Sequence, residues 1–226
     1  MVTHGAGQYN AVVNFDQERL TRMAQLRTNR HTARLTLRPF EPDDLDDVAS
    51  LYGRADVTRF LYWEPRDRDE SLAALERSMH RPVEIIDDNV LPVAVVLTDT
   101  NRVIGDFMLR WTTNEHHQGE MGGSLHPDYH GRGLAGEVYD ALMDIGFVQY
   151  SLHRIVGRCD ARNTASIRSL EKAGLHVEAH LVENEFVKGE WTDEVVLAIR
   201  RDQWEHRPGR DPSSDGHEAA PVLAQP

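Results

Sequence analysis

The chain has 226 residues, 40% of them hydrophobic, and a formal net charge of −12 at pH 7. That length buries one full core, so one domain with ragged ends is expected, and the acidic balance excludes a general nucleic-acid binder. A single cysteine, Cys159, excludes an internal disulfide and suits a reducing cytosol; the longest apolar run, Pro92–Leu97, is too short to span a bilayer, and no basic-then-apolar leader opens the chain, so a cytoplasmic protein is expected.

Residues 1–33 read as an N-terminal extension with a short helix over Asp16–Leu26. Arg34–Arg38 alternates polar and apolar residues and reads as a strand stopped by Pro39. Asp43 or Asp44 then caps a helix through Tyr52, with Leu45, Val48, Leu51 and Tyr52 on one face. A second helix is expected over Asp69–His80, ended by Pro82. Val93–Thr98 and Arg102–Trp111 read as strands about a polar Asp99-Thr100-Asn101 turn, and Glu120–Leu125 as a third. Leu134–Tyr150 is the next helix, Arg154–Cys159 a strand, and Thr164–Ala173 a helix stopped by Gly174. His176–Val187 and Thr192–Ile199 read as a closing hairpin about Lys188-Gly189-Glu190. From Glu205 the tail is rich in Pro, Gly, Ser and Ala, and residues 205–226 read as disordered. Hairpins alternating with helical crossovers imply an α/β fold with a mixed sheet.

Charge is unevenly placed. Residues 41–90 hold 14 Asp/Glu against 6 Lys/Arg, which would suit a cationic substrate, whereas residues 126–172 hold 6 of each plus three histidines. For Asp43, Asp44, Asp46 and Asp47 the plainer expectation is a solvated helix start. The second region contains His126-Pro127-Asp128-Tyr129-His130-Gly131-Arg132-Gly133-Leu134-Ala135 between a strand and a helix. Gly131 and Gly133 lack Cβ, so backbone N–H groups can converge there, and the helix start adds free donors and partial positive charge. Together these make an anion cradle, most often for phosphate; a ligand-free strand-to-helix turn is the alternative.

The second motif is Asp160-Ala161-Arg162-Asn163-Thr164-Ala165-Ser166-Ile167-Arg168-Ser169-Leu170-Glu171-Lys172-Ala173-Gly174-Leu175, in which Asn163 is placed to cap a helix. Taken together, HPDYHGRGLAGE, DARNTASIRSLEKAGL and the closing FVKGEWTDEVVLAI resemble the GNAT N-acetyltransferase superfamily, in particular its RimJ/RimL-like branch. The resemblance covers residues 34–204, which it makes the acetyltransferase domain. It implies a mixed, mostly antiparallel twisted sheet flanked by helices, with two central strands that splay to admit the pantetheine arm of acetyl-CoA. By the same resemblance Leu125, His126, His130, Gly131, Arg132, Gly133, Leu134, Ala135, Asn163, Ser166 and Lys172 serve acetyl-CoA. His130 departs from the Arg or Gln that usually opens the pyrophosphate motif, and Arg132 is the residue that could supply the missing charge.

The resemblance also implies direct attack of an amine on the thioester, with a strand amide near Gly123–Leu125 steadying the oxyanion. Gly122 and Gly123 suit such close approach, and equally a β-bulge. The ammonium must first lose a proton. Glu185, four residues before the hairpin glycine Gly189, matches the branch's base; Glu120 is the rival, and a solvated hairpin carboxylate is the plain alternative for Glu185. The tyrosine that many members carry seven residues after the motif Asn is Leu170 here; RimL-like members carry instead a Ser three residues after the Asn to serve the thiolate, and the resemblance gives that role to Ser166, as a hydrogen-bond donor. Acceptors consistent with the resemblance are a protein N-terminus, a lysine or a small amine, possessing cationic character if the acidic region contributes. The fold leaves room for a homodimer. A non-catalytic acyl-CoA-binding module and a longer donor such as succinyl-CoA are the alternatives, the latter needing Arg110 or Arg158 for its carboxylate.

Other signals are weaker. Twelve histidines show no metal-ligand spacing, so no metal is expected. Ser166 lies in no nucleophile elbow, and the glycine turn lacks the Lys-Ser/Thr of a P-loop. Phe60-Leu61-Tyr62-Trp63 resembles the acceptor-side loop, with core packing expected for at least half of these residues. Cys159 is expected to be a buried structural thiol.

Overall fold

The computed structural model describes residues 29–81 and 88–207, so the Asp16–Leu26 helix and most of the tail lie outside the described residues. The chain order is β1 (Arg30–His31), β2 (Leu35–Arg38), α1 (Leu45–Tyr52), α2 (Ala55–Thr58), α3 (Arg68–Met79), β3 (Val90–Leu97), β4 (Arg102–Thr113) and β5 (Gln118–Leu125). It continues with α4 (Leu134–Asp144), β6 (Arg154–Asp160), α5 (Thr164–Lys172), β7 (His176–Val187), β8 (Glu190–Arg200) and α6 (Arg201–Glu205). All eight strands form one sheet in the order β1-β2-β3-β4-β5-β6-β8-β7. Only β5 and β6 pair in parallel, and they do so over three residues, Gln118↔Arg154, Gly119↔Ile155 and Glu120↔Val156. Beyond Glu120 the two strands part, which is the splay that the family resemblance implies.

The sheet divides two cores. On one face α4, α5 and Trp204 of α6 bury Leu134, Val138, Leu142 and Leu170 against Ile104, Phe107, Leu109 and Met121. On the other, α1 and α3 bury Val48, Leu51, Tyr52 and Leu75 against Ala94, Val96 and Val103. Strand residues feed both faces: Ile104, Phe107, Leu109 and Trp111 of β4 join the first core, and Val103 joins the second.

Several expectations are corrected. The Leu134–Tyr150 helix is α-helical only to Asp144; Ile145–Gln149 is a π turn, with Tyr150 N–H donating to the Ile145 carbonyl at 3.1 Å. Strand β3 starts at Val90 and contains Pro92, which lies beyond the last β2 pair, Arg38↔Ala94, where a missing donor costs the sheet least. Elements β1, α2 and α6 are too short to leave a periodic signal; Arg30 on β1 pairs with Asp144, and Arg207 pairs with Asp140. The acidic start of α1 is only half solvated: Asp43 and Asp46 are exposed, but Asp44 and Asp47 are held in the fold. Asp44 is 5% exposed and takes two hydrogen bonds of 2.7 and 2.8 Å from buried Arg38, while Asp47 holds Arg102 and the Val103 N–H. Those carboxylates serve the fold and are not open to a cationic ligand.

Candidate active site

The glycine turn is built from strand to helix. Pro127–Tyr129 makes one 3-10 turn capped by His126, whose Nδ1 accepts from the Asp128 N–H at 3.4 Å. His130 folds back so that Nε2 donates to the Leu125 carbonyl at 2.9 Å, tying the loop to the end of β5. Gly131 and Gly133 both have φ of +75°, and a Cβ on Gly131 would enter open space, so it is backbone conformation that requires glycine there. Helix α4 starts at Leu134 with its first N–H groups directed to the same opening. Arg132 donates to the Asp128 carbonyl at 2.7 Å and lies over the Tyr129 ring at 5.3 Å. Arg34 stands beside it: its guanidinium donates to the Arg132 carbonyl at 2.9 Å and pairs with Glu137 at 2.8 Å.

The splay opens next to this loop. His126 N–H bonds the Ile104 carbonyl on β4, so by alternation Gly123 and Leu125 turn their peptide groups toward β6, where no ladder partner remains. Across the gap, Asn163 caps α5 by accepting from the Ser166 N–H at 3.2 Å. Ser166 is half-buried in the first turn. Lys172 is at the other end of α5, about 13 Å along the axis from Asn163, so the two do not meet at one point. Leu170 is buried with its methyls against Gly157. Cys159, half-buried on β6, has its thiol pushed up to about 12 by burial, which suits a structural thiol rather than a nucleophile.

The opposite face of the same strands carries charge. Cross-strand pairing puts Asp106, Met108 and Arg110 of β4 on one face with Ser124, Gly122 and Glu120 of β5. Glu120, 8% exposed, is held by Arg110 at 2.6 Å and Arg158 at 3.5 Å. Arg158 also holds Glu194 at 2.9 Å, and Asn184 donates to Glu194 at 3.0 Å. Glu194 is 3% exposed, and burial keeps its carboxyl above the ordinary carboxylate range against the pull of Arg158. Glu185 is half-buried on β7 and accepts from the Tyr62 hydroxyl at 2.7 and 2.9 Å. Tyr62 is 71% exposed, and Lys188 at the hairpin tip donates to the Thr58 carbonyl at 2.9 Å, so hairpin and 58–64 segment close over one end of the strip. Of the four aromatic-segment residues only Trp63 joins a core, so packing explains fewer of them than expected.

Asp106 lies at the strip's other end, with the Tyr52 hydroxyl donating to it at 2.5 Å. Burial raises its carboxyl to about 6, against the Tyr52 hydrogen bond and Arg66. A folded carboxyl raised above its unfolded value binds a proton that the unfolded chain releases, so this group's contribution to stability falls as pH rises between about 4 and 6. The expected loss is about 2–3 kcal/mol. Asp106→Asn should therefore gain stability over the parent at pH 7.5 and little at pH 4.5, as read by urea unfolding at both; an equal difference at the two values would refute the assignment.

A family model described as Acetyltransferase (GNAT) domain matches residues 34–176. The chain belongs to the GNAT acetyltransferase family. Among its relatives, this GNAT protein is 27% identical over 173 residues to the uncharacterized N-acetyltransferase YnaD of Bacillus subtilis (strain 168), covering 76% of this chain and 97% of YnaD. It is 28% identical over 182 residues to spermidine N(1)-acetyltransferase of Escherichia coli (strain K12), covering 77% and 91%. Its fold matches that of spermidine N-acetyltransferase from Vibrio cholerae, solved in complex with CoA and spermine, with a TM-score of 0.64 at 23% identity over 77% of this chain and 99% of that one.

Within this GNAT domain the glycine loop follows the β5 end at the splay and Asn163 caps the helix that follows β6, whereas Glu120 and Glu185 belong to the charged face. Reading the sequence missed Arg34, Glu194 and Asp106. Arg34 sits in a plain strand pattern, and nothing local ties it to a loop a hundred residues away. Glu194 and Asp106 interrupt apolar strand runs, which is the one signal that could have marked them as buried and partnered.

Proposed function

We propose that this protein transfers the acetyl group of acetyl-CoA to a primary amine by direct attack in a ternary complex, as in the RimJ/RimL-like branch. The observation that carries this is the parting of β5 from β6 directly beside a left-handed glycine loop at a helix start. The pyrophosphate would take the N–H groups of Gly131–Leu134, and the pantetheine would pair with the free β5 edge as a strand does. The amine approaches from the charged face. Its ammonium loses a proton to Glu185, the nitrogen bonds the thioester carbon and sheds its second proton to solvent, and the C–S bond breaks. A peptide N–H of β5 near Gly123 steadies the oxyanion, and the Ser166 hydroxyl donates a hydrogen bond to the leaving thiolate, which takes its proton from solvent. Glu185 is favoured over Glu120 because two arginines already hold Glu120. The same pairing favours acetyl over succinyl donors, since Arg110 and Arg158 are both engaged.

The test is thiol release from acetyl-CoA and succinyl-CoA across a panel of amines and peptides, with mass spectrometry of the acceptor. Acetylation of an amine supports the proposal; acetyl-CoA binding with no turnover of any acceptor would favour the binding-module alternative. Calorimetry on the loop is expected to show acetyl-CoA affinity reduced about five- to tenfold in Arg132→Ala and again in Arg34→Ala, the size of a charge-assisted phosphate contact at an exposed site. Unchanged affinity in both would leave the backbone amides as the sole anion donors.

A further inference from the structure

We infer that the acceptor is a small amine that also carries an anionic group, and that the anion docks on Arg77 and Arg81 at the end of α3. This rests on the acetyltransferase reading above and names its acceptor class. A cavity of about 280 Å3 lies on the charged face, between α3 and the sheet. Its floor crosses Gly123 of β5, Asp106 and Met108 of β4, and Pro92 of β3. Three adjacent strands span about 10 Å, which suits one small molecule lying across them. One end is therefore the strand from which the splay opens. The other end lies beyond β4, beneath α3.

Ala74, Arg77 and Ser78 line the α3 side at helical spacing, and Arg81, just past the helix end, continues that side. Arg66 joins them, stacked over Trp63 at 3.9 Å and Tyr52 at 5.1 Å, which fixes the guanidinium while leaving its edge donors free. Among the described residues no carboxylate lies within ion-pair distance of Arg66, Arg77 or Arg81, whereas Arg38, Arg102, Arg110 and Arg158 are all paired. A helix C-terminus favours a cation in its last turn, but it does not account for three guanidinium groups around one cavity with no ion-pair partner among the described residues. The Gly123 end, beside the β5 amide proposed for the oxyanion, leaves the amine toward Glu185, and the arginines suit a carboxylate or phosphate while repelling a second ammonium.

Three acceptors with one chain and different ends decide the matter: 6-aminohexanoate, 6-aminohexyl phosphate and 1,6-diaminohexane. At least one anionic amine is expected to exceed the diamine in kcat/KM by about tenfold or more, with the two anionic arms telling carboxylate from phosphate. Arg77→Gln with Arg81→Gln should bring that ratio below about threefold, while Arg68→Gln, which removes an arginine paired with Asp46 outside the cavity, should leave it unchanged. Calorimetry of the same amines with CoA-saturated protein should give the same order without chemistry. A diamine that binds or reacts as well as both anionic amines overturns the inference, as does an equal fall of the ratio in Arg68→Gln, or no binding of any of the three. Anionic preference in calorimetry with no thiol release from any amine would instead sink the catalytic reading and uphold the cavity assignment.

Discussion

Glu185→Gln is expected to lower kcat by about a hundredfold or more while leaving the KM for acetyl-CoA close to that of the parent. An amide keeps the shape and can still accept from Tyr62, so the loss would be of proton acceptance rather than of structure. Glu120→Gln should behave differently, because that carboxylate is the ion-pair partner of Arg110 and also faces Arg158; its removal strips Arg110 of that partner while Arg158 keeps Glu194. A fall in thermal stability together with a smaller fall in kcat is the expected pattern. Wild-type kcat in both variants would mean that the proton leaves through water, and both assignments would fail.

Gly123→Ala is expected to cost about 2–4 kcal/mol of stability and most of the acetyl-transfer activity. A Cβ there would stand 2.5 Å from Phe107 Cγ and would also collide with the Asp106 carbonyl oxygen, so β5 must move off β4. Phe107 is fully packed in the main core and cannot give way cheaply. The displaced segment is also the free edge proposed to hold the thioester, hence the coupled loss. Gly122→Ala is the control. Its Cβ would meet only Met108 Cε at an ordinary 3.7 Å, and it should fold and turn over much like the parent. Melting temperature and kcat/KM measured on both variants check the pair; a Gly123→Ala protein as stable as Gly122→Ala would show that the strand accommodates the atom.

The parts of the molecule that were legible in advance are those specified by neighbours in the chain. Asn163 and its helix, the Lys188-Gly189 hairpin turn and the left-handed glycines before α4 rest on local sterics and capping, which a linear pattern reports. The acidic start of α1 was misjudged because the partners of Asp44 and Asp47 belong to β2 and β4, on other strands of the sheet.

By itself, then, the sequence determined an α/β chain with an anion-binding glycine loop, a capped helix after it and a closing hairpin, enough to resemble GNAT enzymes. Only the tertiary structure decided what stands opposite that loop: Glu120 between two arginines, Glu185 under Tyr62, and Asp106 and Tyr52 in a cavity that Arg66, Arg77 and Arg81 line. The reason is physical. Loop conformation and helix capping are settled within a few residues, whereas the charge state and role of a carboxylate depend on which distant groups packing brings within a few ångströms, and on how much water it leaves there.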